Sequence, residues 1–141
     1  MRLQDWPNLY DTSYRETSLE TIEYNCAAFA IGRTDIVVDS YGYWWPDDLV
    51  RDHKIESYAE FFKKYGFIET ANGDLELGFD KICLFADGGG LFTHVAIQQS
   101  SGYWKSKMGD YEDIEHYTVN AVSGRLYGSP QIYMKRKTEK T

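Results

Sequence analysis

The chain has 141 residues, with 15 Lys+Arg against 22 Asp+Glu, a formal net charge of −7, two cysteines, three histidines and an aromatic share of 16%. A single domain of this size buries roughly two thirds of the surface its unfolded chain exposes, so neither a disulfide nor a metal is required to hold it. The acidic balance argues against a phosphate-backbone partner, which draws on clustered Lys and Arg; no apolar run reaches the ~18 residues that span a bilayer, and the start Met1-Arg2-Leu3-Gln4-Asp5 lacks the apolar stretch of a signal peptide. The expected setting is cytoplasmic, or exported by a route that uses no signal peptide. No nucleic acid, membrane, metal or other cofactor is expected.

Taken in chain order, residues 1 to 24 are polar and aromatic, broken by Trp6-Pro7-Asn8, Asp11 and Ser13, and read as an irregular or partly helical lead-in. A short helix opens at Cys26, with Asn25 as N-cap and Gly32 as stop signal. Thr34 to Lys54 reads as a long loop, holding the strand-like Ile36-Val37-Val38 and the aromatic run Tyr41-Gly42-Tyr43-Trp44-Trp45-Pro46-Asp47-Asp48. Ser57 to Gly66 places Tyr58, Phe61, Phe62 and Tyr65 at helical spacing and ends on glycine. Strands are expected over Lys81 to Ala86, Phe92 to Gln98, Tyr103 to Lys107 and Gln131 to Arg136, separated by Gly- and Ser-rich turns. Helices first and an antiparallel sheet afterwards predict an α+β domain over residues 1–136, with a disordered basic tail at 137–141.

The two thiols differ in setting. Cys83, in Lys81-Ile82-Cys83-Leu84-Phe85-Ala86, reads as a small buried hydrophobe. Cys26 stands in the first turn of the expected helix, where the dipole favours thiolate. Among the histidines, His53 lies in a charged stretch and reads as a solvated residue, whereas His94 opens the core strand Val95-Ala96-Ile97 and His116 sits in a turn or edge strand. Cys26 as nucleophile and His94 as base need a third polar group to fix the imidazole. A hairpin about Ser100-Ser101-Gly102 brings Ser106 back toward His94, with His116 as the rival. Tyr24 and Asn25 border the oxyanion position, Trp44 and Trp45 the cleft, and Lys107 an anionic substrate group. A zinc site from Cys26, His94 and His116 lacks any short ligand-pair spacing.

The order Asn25-Cys26, then His94-Val95-Ala96, then a polar residue twelve positions on, resembles the NlpC-type and CHAP-type branches of the papain-like cysteine hydrolases. In the NlpC branch that third position is usually histidine; here it is Ser106. The strings Tyr24-Asn25-Cys26, Trp45-Pro46, His94-Val95-Ala96, Trp104-Lys105-Ser106-Lys107-Met108-Gly109, Ile114-Glu115-His116 and Tyr127-Gly128 are more closely similar to a family of small, uncharacterised bacterial proteins. The resemblance implies a papain-like fold, an N-terminal helix packed on a C-terminal antiparallel sheet. It also implies a thiol-dependent hydrolase or acyltransferase acting on an amide, peptide or ester bond of a peptide or small-molecule substrate. The alternative is a catalytically inactive module of that fold, which engages a protein partner through the tryptophan-rich loop.

Overall fold

The computed structural model describes residues 6–9, 14–17, 23–108 and 112–138. Its dominant element is one seven-stranded sheet in which every neighbouring pair is antiparallel, built from β1 (Tyr14–Glu16), β2 (Ile68–Thr70), β3 (Phe79–Ala86), β4 (Phe92–Gln98), β5 (Trp104–Lys107), β6 (Asp113–His116) and β7 (Ser129–Lys137). The strand order is β1-β6-β5-β4-β3-β7-β2. Among the described residues two α-helices accompany it, α1 (Cys26–Ala30) and α2 (Ile55–Lys63), with a 3₁₀ turn at Val119–Val122.

This arrangement corrects the expected architecture. The chain is not a papain-like N-terminal helix packed on a C-terminal sheet: the helix that opens at Cys26 ends after five residues, and the sheet recruits strands from both ends of the chain. The physical reasons are local. Gly32 takes φ +80 and its N–H closes on the Phe29 carbonyl, so α1 stops, as the glycine signal implies. The lead-in supplies β1, which pairs with β6 through Tyr14↔His116 and Glu16↔Ile114. The expected tail does not begin at residue 137. Lys137 is the last residue of β7, and Thr138 bonds Gly78 and Asp80, while 139–141 lie outside the described residues.

Strand β3 sits third from one edge and is covered on both faces, which is why Ile82, Cys83, Leu84 and Phe85 form an unbroken apolar run. Side chains alternate across such a strand. Ile82, Leu84 and Ala86 join a first core with Phe92, Val95, Met134 and the buried face of α2, namely Ile55, Tyr58, Ala59, Phe61 and Phe62. Cys83 and Phe85 join a second core on the opposite face with Trp6, Ala96, Trp104, Ile114 and Tyr127. A register shift where β3 ends and β4 begins, Phe85↔His94 followed by Ala86↔Phe92, inserts Thr93 as an extra residue and returns Phe92 to the first core.

The turn before β7 closes tightly on this bulged end. Gly128, at φ +68, exchanges hydrogen bonds with Gly124 at 2.7 and 2.8 Å, and a Cβ on it would stand 2.0 Å from the Ala86 carbonyl oxygen. Backbone on both sides cannot yield. Gly128→Ala is expected to lower unfolding free energy by about 3 kcal/mol in urea denaturation, against a few tenths for Gly88→Ala, where open space surrounds the position.

Candidate functional site

Asn25 caps α1 and does more. Its Oδ1 accepts from the Ala28 N–H at 3.2 Å and the Val38 N–H at 3.1 Å, and its Nδ2 donates to the Val38 carbonyl at 2.7 Å. One amide thus pins the helix start to the first part of the 34–54 loop. Cys26 follows, partly exposed, against β4. Burial pushes its thiol up to about 11, against backbone hydrogen bonds from Val95, Ala27 and its own N–H, and Asp39 adds to the rise. The dipole of a five-residue helix does not overcome that desolvation, so the thiolate expected from the sequence is not the resting form.

His94 is not at the thiol. Because His94 and Val95 are successive strand residues, Val95 faces α1 in the first core while the His94 ring enters the second, stacked on Tyr127 at 4.1 Å with Phe85 edge-on. Ser106 and His116 lie with it. His94 Nε2 is 2.9 Å from Ser106 Oγ, Ser106 Oγ is 2.7 Å from His116 Nε2, and His116 Nδ1 is 2.8 Å from the Thr118 carbonyl oxygen. That carbonyl can only accept, so the proton positions follow by elimination. His116 Nδ1–H donates to Thr118, the Ser106 hydroxyl donates to His116 Nε2, and His94 Nε2–H donates to Ser106. Ser106 and His116 therefore stand in series, not as rivals. His94 Nδ1 is left as a bare lone pair with no hydrogen-bond partner among the described residues. All three side chains are fully buried. No substrate reaches them on this geometry.

The remaining predicted residues divide the same way. Tyr24 donates from its hydroxyl to Asp113 Oδ2 at 2.6 Å and lies beneath the Lys107 ammonium, 5.4 Å from the ring centroid, on the α1 side of the sheet. Lys107 is fully buried. It is packed into this Tyr24–Asp113 neighbourhood and not presented to an anionic ligand. Trp45 is buried on Phe61 and Tyr58, with ring centroids at 5.2 and 4.7 Å, whereas Trp44 is 47% exposed with its edge on Phe61. A cleft of about 510 Å³ between Ile55, Asp87, Gly90, Gly128 and Gln131 contains none of the predicted site residues.

Sequence reasoning missed what surrounds the loop. His53 is the only non-glycine at positive φ (61°) among the described residues, a strained conformation that its surroundings must impose. Its Nδ1 meets Ser40 Oγ at 3.0 Å and the Tyr58 hydroxyl at 3.2 Å, and its ring stacks under Tyr41 at 4.5 Å. Cys26 and Asp39 both raise the Tyr58 hydroxyl pKa, after burial, so thiol, Asp39, Tyr58 and His53 share one neighbourhood. The signal available beforehand was only a histidine among charges. Tyr41 and Tyr43, each 64% exposed, complete the loop's outer surface with Trp44.

A family profile described as Domain of unknown function (DUF7689) matches residues 15–135. The chain belongs to that family. No curated protein and no solved structure matches it. Among the described residues, no helix is long and apolar enough to cross a membrane.

The buried relay carries a pH signature. Burial holds His94 well below the ordinary imidazole range, with the His116 charge adding to it, and holds His116 down to about 4 from 6.5. Both groups are depressed, so between those values the unfolded chain binds protons that the fold refuses, and stability present above about pH 6.5 is lost as pH falls toward 4. The slope of unfolding free energy should approach the ~2.7 kcal/mol per pH unit of two protons. Urea midpoints from pH 7.5 to 4.5 test this, and Ser106→Ala should lower stability across the range by leaving two ring nitrogens unpaired.

Proposed function

We propose that the chain is a binding module whose docking element is the aromatic loop at residues 37–50. The observation that carries the reading is a run of exposed rings on a backbone that is already fixed. Tyr41, Tyr43 and Trp44 face solvent, yet the Trp44 N–H donates to Val37 O at 3.1 Å and the Asp39 N–H to Trp44 O at 3.1 Å. The Tyr41 N–H donates to Asp39 Oδ1 at 2.8 Å and the Tyr41 hydroxyl to Asp52 O at 3.2 Å. Beneath them Trp45 is stacked on Phe61. Large amphipathic rings held in place lose little entropy on docking, which is what interface anchors require. The protein partner named as the alternative to catalysis is thus the reading that the geometry supports best.

Thiol hydrolysis is the second reading, favoured by one observation, the neighbourhood that Cys26 shares with Tyr58, Asp39 and His53. In it His53, with the Tyr58 hydroxyl 3.2 Å from its Nδ1, replaces His94 as the candidate base: sulfur attacks a carbonyl, the thiol proton passes to the leaving group through that base, and water then cleaves the thioester.

Two measurements separate them. A photo-crosslinking residue at Tyr43 is expected to trap one protein, lost on Trp44→Ala, that the same probe at Leu77, 92% exposed just before β3, does not trap. With its thiol near 11, Cys26 is expected to react with iodoacetamide at pH 8 roughly a hundredfold more slowly than a free thiol. Equal trapping at both sites together with a fast, His53-dependent Cys26 would overturn the docking reading in favour of the thiol one.

A further inference from the structure

Resting on that reading of the loop, we infer that its partner presents a cationic segment, and that the loop takes an arginine or lysine side chain against the Tyr43 and Trp44 rings with Asp47 as counter-charge. Three observations converge. The protein carries a net charge of −7, so at long range a basic segment is attracted and an acidic one repelled. Within 39–54 the aspartates at 39, 47, 48 and 52 outnumber Arg51 and Lys54, leaving the loop negative.

The second observation is which of these charges are committed. Asp48 is held by Lys64 at 2.6 Å, Asp52 accepts from Ser57 and the Lys54 N–H, and Arg51 reaches the Trp45 carbonyl at 3.2 Å. Asp47 is exposed, three residues beyond Trp44, and has no ion-pair partner among the described residues. The third is the chemistry of the rings. One Tyr41 face is covered by His53, but Tyr43 and Trp44 are exposed beside it, and the face of an electron-rich ring attracts a guanidinium or ammonium. Trp44 and Asp47 thus offer the two halves of a cation site, a ring and a carboxylate.

The protein carries its own reporter. Of its four tryptophans, Trp6, Trp45 and Trp104 are 2–4% exposed and Trp44 is 47% exposed, so ligand-dependent change in emission comes from Trp44. The probes are three eight-residue peptides of alternating Gly with Arg, Glu or Ser, titrated into wild type and into Asp47→Asn and Tyr43→Ser. The Arg peptide is expected to quench Trp44 with an affinity that falls at least fivefold in either variant and falls with added salt, while the Glu and Ser peptides leave the emission unchanged. Equal quenching by the Ser peptide would overturn the cationic preference and leave the loop a docking surface. Quenching by the Arg peptide that neither variant weakens would overturn the site itself. Failure of all three peptides to change the emission overturns the cationic proposal alone, because the crosslink at Tyr43 judges the loop independently.

Discussion

A single side-chain amide ties the first helix to the aromatic loop. Asn25 caps α1 through Ala28 and, with the same oxygen and its own N–H₂, holds both backbone groups of Val38. Val38 in turn forms a parallel bridge with Trp44, and the Trp45 ring behind it seats on Phe61 and Tyr58 of α2. Buried backbone groups in a loop must find partners, and a loop this long with no strand of its own has few. Asn25 supplies them, and so couples the start of the first helix to the surface that the second helix supports.

The second constraint is the strict alternation of β4. Its His94 and Val95 belong to opposite cores, and one residue of register separates a histidine beside Ser106 from a backbone N–H beside the Cys26 sulfur. What looks in sequence like a cysteine and its base becomes two unrelated structures. On one face a thiol is kept protonated by burial; on the other, two neutral imidazoles and a hydroxyl form a directed chain that ends on the Thr118 carbonyl. The Thr93 bulge adds to this, since it lets Phe92 rejoin the α2 face, where its ring lies 3.8 Å from Tyr58, without carrying His94 along.

Much of the sheet was legible because its signal is periodic and local. The four expected strands correspond to β3, β4, β5 and β7, and the helix of Tyr58, Phe61 and Phe62 forms as α2, starting at Ile55 rather than Ser57. The short strands β1, β2 and β6 were not, because three or four residues carry too little pattern unless a hairpin turn marks them, as Ser100-Ser101-Gly102 marks β5, and these three pair with strands distant in sequence or across a weakly marked turn. The architecture failed for the same reason: a Cys-first helix and a later sheet describe order along the chain and not which face each element covers. In the site, the contact between Ser106 and His94 follows from hairpin geometry, whereas the face on which Cys26 lies does not. His53 was invisible, since its role depends on a left-handed backbone and on Ser40, Tyr41 and Tyr58 arriving from elsewhere.

On the proposed reading, residue types suited to catalysis serve here to hold a surface. His53 props Tyr41, Asn25 fixes Val38, and α2 carries the tryptophan pair. The most direct test is amide hydrogen exchange at Asp39 and Trp44, whose N–H groups close the loop. Both should be protected in the wild-type protein and exchange much faster in Asn25→Ala, while the amides of β4 stay protected in both. Exchange of Asp39 and Trp44 at the rate of a free chain in the wild type would contradict a preformed docking surface.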